Sequence, residues 1–98
     1  MEKRTPHCSL LRVKELIDEG KVRATHTART TASLLGFDFK GMVAVVASLR
    51  MKDFYKSMTT HADHRIWQDV YRPQTSAGAV YVKLTAIDEV LIVSFKEL

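Results

Sequence analysis

The chain has 98 residues, 46% of them hydrophobic, with 15 Lys and Arg against 11 Asp and Glu and one cysteine. That length describes one small domain, 1–98, able to build a single core. The lone Cys8 excludes an intrachain disulfide; the chain has no apolar run of about 20 residues, and MEKRTPHCS holds no signal-peptide core, so a soluble cytoplasmic protein is expected. The net charge is +4, and its excess lies in residues 1–50, where nine basic residues meet five acidic ones; residues 51–98 hold six of each. A basic balance favours polyanions or acidic partner proteins and says nothing about fold.

In SLLRVKELIDEG, Leu10, Val13, Leu16 and Ile17 recur at helical spacing, with Ser9 as N-cap and Gly20 as stop. TARTTASLLG repeats the theme: Ala28, Thr31, Ala32 and Leu35 share a face, and Gly36 closes it. Asp38 caps a third helix with Phe39, Met42, Val43 and Val46 along its stripe. By periodicity MVAVVASL fits a buried strand equally well, but the cap and the alanines favour helix. The second half changes character. Residues 53–60, 65–72, 79–86 and 89–96 are four runs rich in Val, Ile, Tyr, Phe and Thr, and AIDEV leaves room only for a tight hairpin. Helices first and strands after predict an α+β domain, with N-terminal helices packed on one face of a mostly antiparallel sheet formed by the C-terminal half.

Alternation predicts which side chains that sheet buries. Val80, Val82 and Leu84 share one face, and Leu91, Val93 and Phe95 share one in the next strand; these define the core side. The opposite face carries Tyr81, Lys83 and Thr85, then Val90, Ile92, Ser94 and Lys96. In the first two strands Lys56 is in phase with Phe54 and Met58, and Gln68 with Val70 and Arg72. A shared open face therefore gathers Lys56, Gln68, Arg72, Tyr81, Lys83 and Lys96. Trp67 and Tyr71 read as core aromatics.

Several chemistries lack their residues. The four glycines are scattered, so there is no phosphate-binding loop. His61, Asp63 and His64 in HADH have no second ligand pair, so neither a metal site nor a cofactor is expected. No acidic cluster suits two-metal cleavage. Phosphodiester chemistry here has to be metal-free: a base for the 2′-hydroxyl, cations for the phosphorane and an acid for the departing 5′-oxygen. A lysine base needs its pKa pulled below the reference of about 10.4 by burial or nearby cations. Failing that, Lys56 is a fixed charge. The ordinary role of a lysine or tyrosine on an exposed sheet face is solvated surface, so periodicity alone defines only a basic α+β domain with a cationic sheet face.

MEKRTPH at the start, GM at 41–42, DFYKSMTT, DH at 63–64, IWQDVYRP and VLIVSFKE together resemble, from end to end, the MqsR toxin family of RelE-like mRNA interferases, the toxin halves of type II toxin–antitoxin pairs. The resemblance implies a compact RelE-like α+β fold and endoribonuclease activity on mRNA at GCU sites. It also implies neutralisation by an MqsA-like antitoxin with a zinc-binding N-terminal domain and a helix-turn-helix C-terminal domain, so that operator DNA is reached only through the antitoxin. The family's catalytic lysine, glutamine and tyrosine fall on Lys56, Gln68 and Tyr81, with His7, Met58, Arg72 and Lys96 also matching as supporting residues. Lys83 joins them by its place on the open face. Segments 22–35, 44–52 and 74–79 depart from the family pattern, so antitoxin pairing and base preference can differ there.

Overall fold

Each helix begins where a short polar side chain meets the first free amides. In the computed structural model, which describes residues 1–98, Ser9 accepts from the Arg12 N–H and opens α1 (Leu10–Asp18). Thr25 accepts from Ala28 and opens α2 (His26–Leu34), and Asp38 accepts from Gly41 and opens α3 (Phe39–Ala47). Gly20 and Gly36 follow the ends of α1 and α2 with φ of 77° and 88°, values that other residues adopt only with strain. MVAVVASL thus resolves as helix, as its cap implied.

Seven strands follow or precede these helices: β1 (Glu2–Lys3), β2 (Val22–Ala24), β3 (Phe54–Thr59), β4 (Trp67–Tyr71), β5 (Gln74–Thr75), β6 (Gly78–Ala86) and β7 (Val90–Glu97). The sheet order is β1-β3-β4-β6-β7-β2, with β5 folded onto β6. All pairings are antiparallel except β2 with β7. The four long strands match the predicted runs. β1, β2 and β5 were not predicted, being two or three residues long with no periodicity to read.

The helices cover one sheet face. Val13 and Leu16 from α1, Ala28 and Ala32 from α2, and Met42 and Val46 from α3 meet Val80, Val82 and Leu84 of β6 in one buried cluster, which Tyr71, Val90, Ile92 and Phe95 complete from the sheet. Burying a side chain of the size of Phe95 contributes about 1.5–3 kcal/mol, so this cluster is the main source of stability.

Two β-bulges correct the simple alternation. In β7, Lys83 pairs with Ser94 but Leu84 pairs with Ile92, leaving Val93 as an extra residue. The inserted residue switches the phase. Val90 and Ile92 are therefore buried, whereas Leu91 and Val93, expected on the core side, are only half-buried. Phe95, beyond the bulge, is in the core as expected. In β3, Phe54 pairs with Tyr71 and Lys56 with Val70, leaving Tyr55 unpaired. Phe54 consequently faces the core, edge-on to the Tyr71 ring at 5.4 Å, rather than sharing the face of Lys56.

Of the two aromatics expected in the core, Tyr71 is there and fully buried. Trp67 instead lies half-buried at the sheet margin, stacked on His7 at 5.5 Å with the Lys3 ammonium 4.2 Å from its ring centroid. The Tyr71 hydroxyl is buried without a hydrogen-bond partner. Burial, and then the negative Asp69, push its pKa well above the ordinary tyrosine value. Tyr71→Phe removes an unsatisfied polar atom and keeps the ring, so chemical denaturation should show stability unchanged or raised by about 1 kcal/mol.

The N-terminal segment is tied to the sheet by one carboxylate. Asp69, 2% exposed, accepts from the Ser57 hydroxyl at 2.6 Å and from the His7 and Cys8 backbone N–H groups at 2.9 and 3.0 Å. Those bonds anchor the chain just after β1, which pairs with β3 as Glu2 opposite Met58 and Lys3 opposite Ser57.

Candidate active site on the open sheet face

The strand register decides which side chains share the face away from the helices. Glu2, Met58 and Gln68 form one cross-strand row, and Lys56, Val70, Lys83 and Ser94 form the next. Two residues further along the antiparallel β4–β6 pair come Arg72 and Tyr81, and Tyr81 is directly opposite Lys96. The Lys96 ammonium lies 5.2 Å from the Tyr81 ring centroid. Lys56, Met58, Gln68, Arg72, Tyr81, Lys83 and Lys96 are therefore brought together. His7 is not. Its backbone bonds to Asp69 and its ring stacks on Trp67, both on the opposite side of the sheet from Lys56.

Sequence alternation missed two members of the face. The β3 bulge frees Tyr55 from the pairing, and its ring is surrounded by cations: the Arg72 guanidinium at 3.8 Å, the Lys56 ammonium at 5.3 Å and the Arg4 guanidinium at 5.8 Å from the centroid. A ring so placed is a cation–π partner for the arginine and a flat surface beside its charge. The other is Glu2. Its carboxylate accepts from the Lys56 ammonium at 2.8 Å. A two-residue edge strand gives no periodic signal, so only the three-dimensional pairing of β1 with β3 identifies it.

Lys56 is partly enclosed, with 18% of its side chain accessible against 52% for Glu2. The hydrogen bond from Lys56 to Glu2 raises the lysine pKa; partial desolvation opposes this, and the charge of Glu2 and the nearby Tyr55 and Tyr81 hydroxyls add to it. The same bond, with the charges of Lys56, Arg4 and the N-terminal ammonium, holds Glu2 below the usual carboxylate range, against a small opposing effect of burial. Lys56 is therefore a firmly protonated cation here. The lowered lysine pKa that a base requires is not what this geometry produces. The signs give a pH window. The Glu2 contribution to stability is present above the ordinary carboxylate value near 4.3 and lost as pH falls through its lowered folded value; the Lys56 contribution is lost as pH rises through its raised value, above about 10.4. Thermal melts of Glu2→Gln should differ from the parent at neutral pH, and the difference should shrink as pH falls through the lowered Glu2 range.

No three His, Cys, Asp or Glu side chains come together as a metal-ligand group. Asp63 of the HADH segment is held by the Arg65 guanidinium at 3.0 and 3.1 Å. The two surface depressions, of about 480 and 510 Å³, are lined by other residues, so the cationic face is open rather than a pocket. That shape suits an extended polymer better than a small molecule, which is usually held in a concave site.

The fold and this face define a small α+β protein with a cationic, tyrosine-bearing open sheet surface. Residues 5–97 match the family described as the motility quorum-sensing regulator, toxin of MqsA. The chain is also 59% identical over 97 residues, covering 99% of both sequences, to the mRNA interferase toxin MqsR of Escherichia coli (strain K12). It belongs to the MqsR toxin family.

Proposed function

We propose that this chain is the toxin of a type II toxin–antitoxin pair, an endoribonuclease that cuts mRNA at GCU sites without a metal ion. One observation carries the reading: the family's lysine, glutamine and tyrosine positions, Lys56, Gln68 and Tyr81, lie on a single open face flanked by Arg72, Lys83 and Lys96. Lys56 stabilises the charge that grows on the phosphorane, Tyr81 gives a proton to the departing 5′-oxygen and Gln68 positions the phosphate. Arg72, Lys83 and Lys96 hold the flanking backbone charge, with Met58 packing between Glu2 and Gln68 in their row.

The working partner is an MqsA-like antitoxin, whose zinc-binding N-terminal and helix-turn-helix C-terminal domains join the toxin to its operator DNA. The toxin acts in the cytoplasm, where its mRNA substrate is, and no single helix of the chain is long and apolar enough to cross a membrane.

The test is cleavage of a defined RNA containing GCU sites, in EDTA, with the cut ends mapped. Cuts at those sites that leave 2′,3′-cyclic phosphate and 5′-hydroxyl ends support the reading. Intact RNA beside a folded protein that binds it would favour a non-catalytic RNA- or ribosome-binding module of the same fold.

A further inference from the structure

We infer that Glu2 is the general base of the cleavage reaction, an assignment that rests on the nuclease reading of the same face. The side-chain types gathered there are lysine, arginine, tyrosine, glutamine, methionine, valine, a serine whose hydroxyl is not basic, and one glutamate. At neutral pH lysine, arginine and tyrosine ordinarily carry their protons, and glutamine and methionine accept none; only a carboxylate is ready to take one. Histidine, the usual alternative, is excluded by place: His7 is across the sheet, His26 opens α2 on the helix-covered side, and His61 and His64 are in the exposed loop between β3 and β4.

Geometry puts the carboxylate where a base belongs. Glu2 sits on an edge strand opposite Met58, one same-face row from Lys56, with its oxygen 2.8 Å from the ammonium. A scissile phosphate bound at Lys56 brings its neighbouring 2′-hydroxyl within reach of a group in direct contact with that same ammonium. Half of the Glu2 side chain is exposed, so a ribose can approach it.

The step balances. The 2′-hydroxyl proton passes to Glu2 as the O2′–P bond forms, and the P–O5′ bond breaks as the 5′-oxygen takes a proton from Tyr81. The products are a 2′,3′-cyclic phosphate and a 5′-hydroxyl, and exchange with water resets both groups. Lys56 stays protonated throughout and neutralises the phosphorane.

Glu2→Gln keeps the shape and the bond to Lys56 but cannot accept a proton. The experiment is single-turnover cleavage by the full chain across pH, with a 2′-deoxy RNA as the binding probe. The groups facing Glu2 are Lys56 from β3 and Arg4 and the N-terminal ammonium from its own segment. The wild-type rate should rise with pH through a carboxylate titration. Glu2→Gln should lose about 10²- to 10⁴-fold in rate and lose that acid limb. It should bind the deoxy RNA at least as tightly, and Glu2→Asp should recover part of the rate. A Glu2→Gln chain that cuts as fast as wild type, or keeps the acid limb, overturns the assignment and leaves Glu2 a counter-ion displaced by substrate. A wild type that never cuts RNA overturns the nuclease reading itself, and the base with it.

Discussion

Lys56→Ala should lower the rate of RNA cleavage by about two to four orders of magnitude, the usual cost of losing a charge-stabilising group at a reacting centre. The reason is positional. Only 18% of the Lys56 side chain is accessible, and its ammonium is already fixed by Glu2 at 2.8 Å, so it presents a preset charge with little reorganisation. Removing it also frees Glu2, which then adds uncompensated negative charge beside the phosphate. The fold should survive, because the lysine stem is on the side away from the helices. Circular dichroism and a thermal melt close to the parent's, alongside lost cleavage, are the expected pair of results. If the face only bound RNA, the same change would cost little more than one phosphate contact, seen as a slightly shallower salt dependence of affinity.

Asp69→Ala should be the most damaging polar substitution for stability, at about 2–4 kcal/mol. For a domain of this size that lowers the melting temperature by roughly 10 °C or more. The carboxylate accepts from Ser57, His7 and Cys8 together, and at 2% exposure water cannot replace it. Asp69→Asn should cost nearly as much, since its amide turns a donor toward one of three donors. Urea denaturation of both variants measures this. The consequence reaches the site: the His7–Cys8 anchor holds the segment that carries Glu2 to Lys56. Hydrogen exchange should therefore show residues 1–8 losing protection before the β6–β7 pair does.

Much of this architecture was readable from residue order because local signals and tertiary packing agree. Ser9 and Asp38 cap the helices they were expected to cap, and the alternation in β6 assigns Val80, Val82 and Leu84 to the core. The same alternation placed Lys56, Gln68, Arg72, Tyr81, Lys83 and Lys96 on one face, and the register agrees. What escaped has a common cause. A bulge depends on how two strands pair, and nothing in VLIVSF marks Val93 as the extra residue, so Leu91 and Val93 were assigned to the side that Val90 and Ile92 occupy. The bulge at Tyr55 likewise misplaced Phe54 and concealed the cation-ringed tyrosine. β1 has two residues, so the contact that defines the state of Lys56 came from pairing 54 positions apart in sequence.

The central claim is that this face cuts RNA through the neighbouring 2′-hydroxyl, without a metal. The most direct measurement compares two otherwise identical GCU-containing oligonucleotides in EDTA, one all-ribose and one with a single 2′-deoxy residue at the scissile position. The account predicts that the ribose strand is cut, leaving a 2′,3′-cyclic phosphate, and that the deoxy strand binds with similar affinity but stays intact. Cleavage of the deoxy strand at the same position and a similar rate would contradict it, because water would then be the nucleophile.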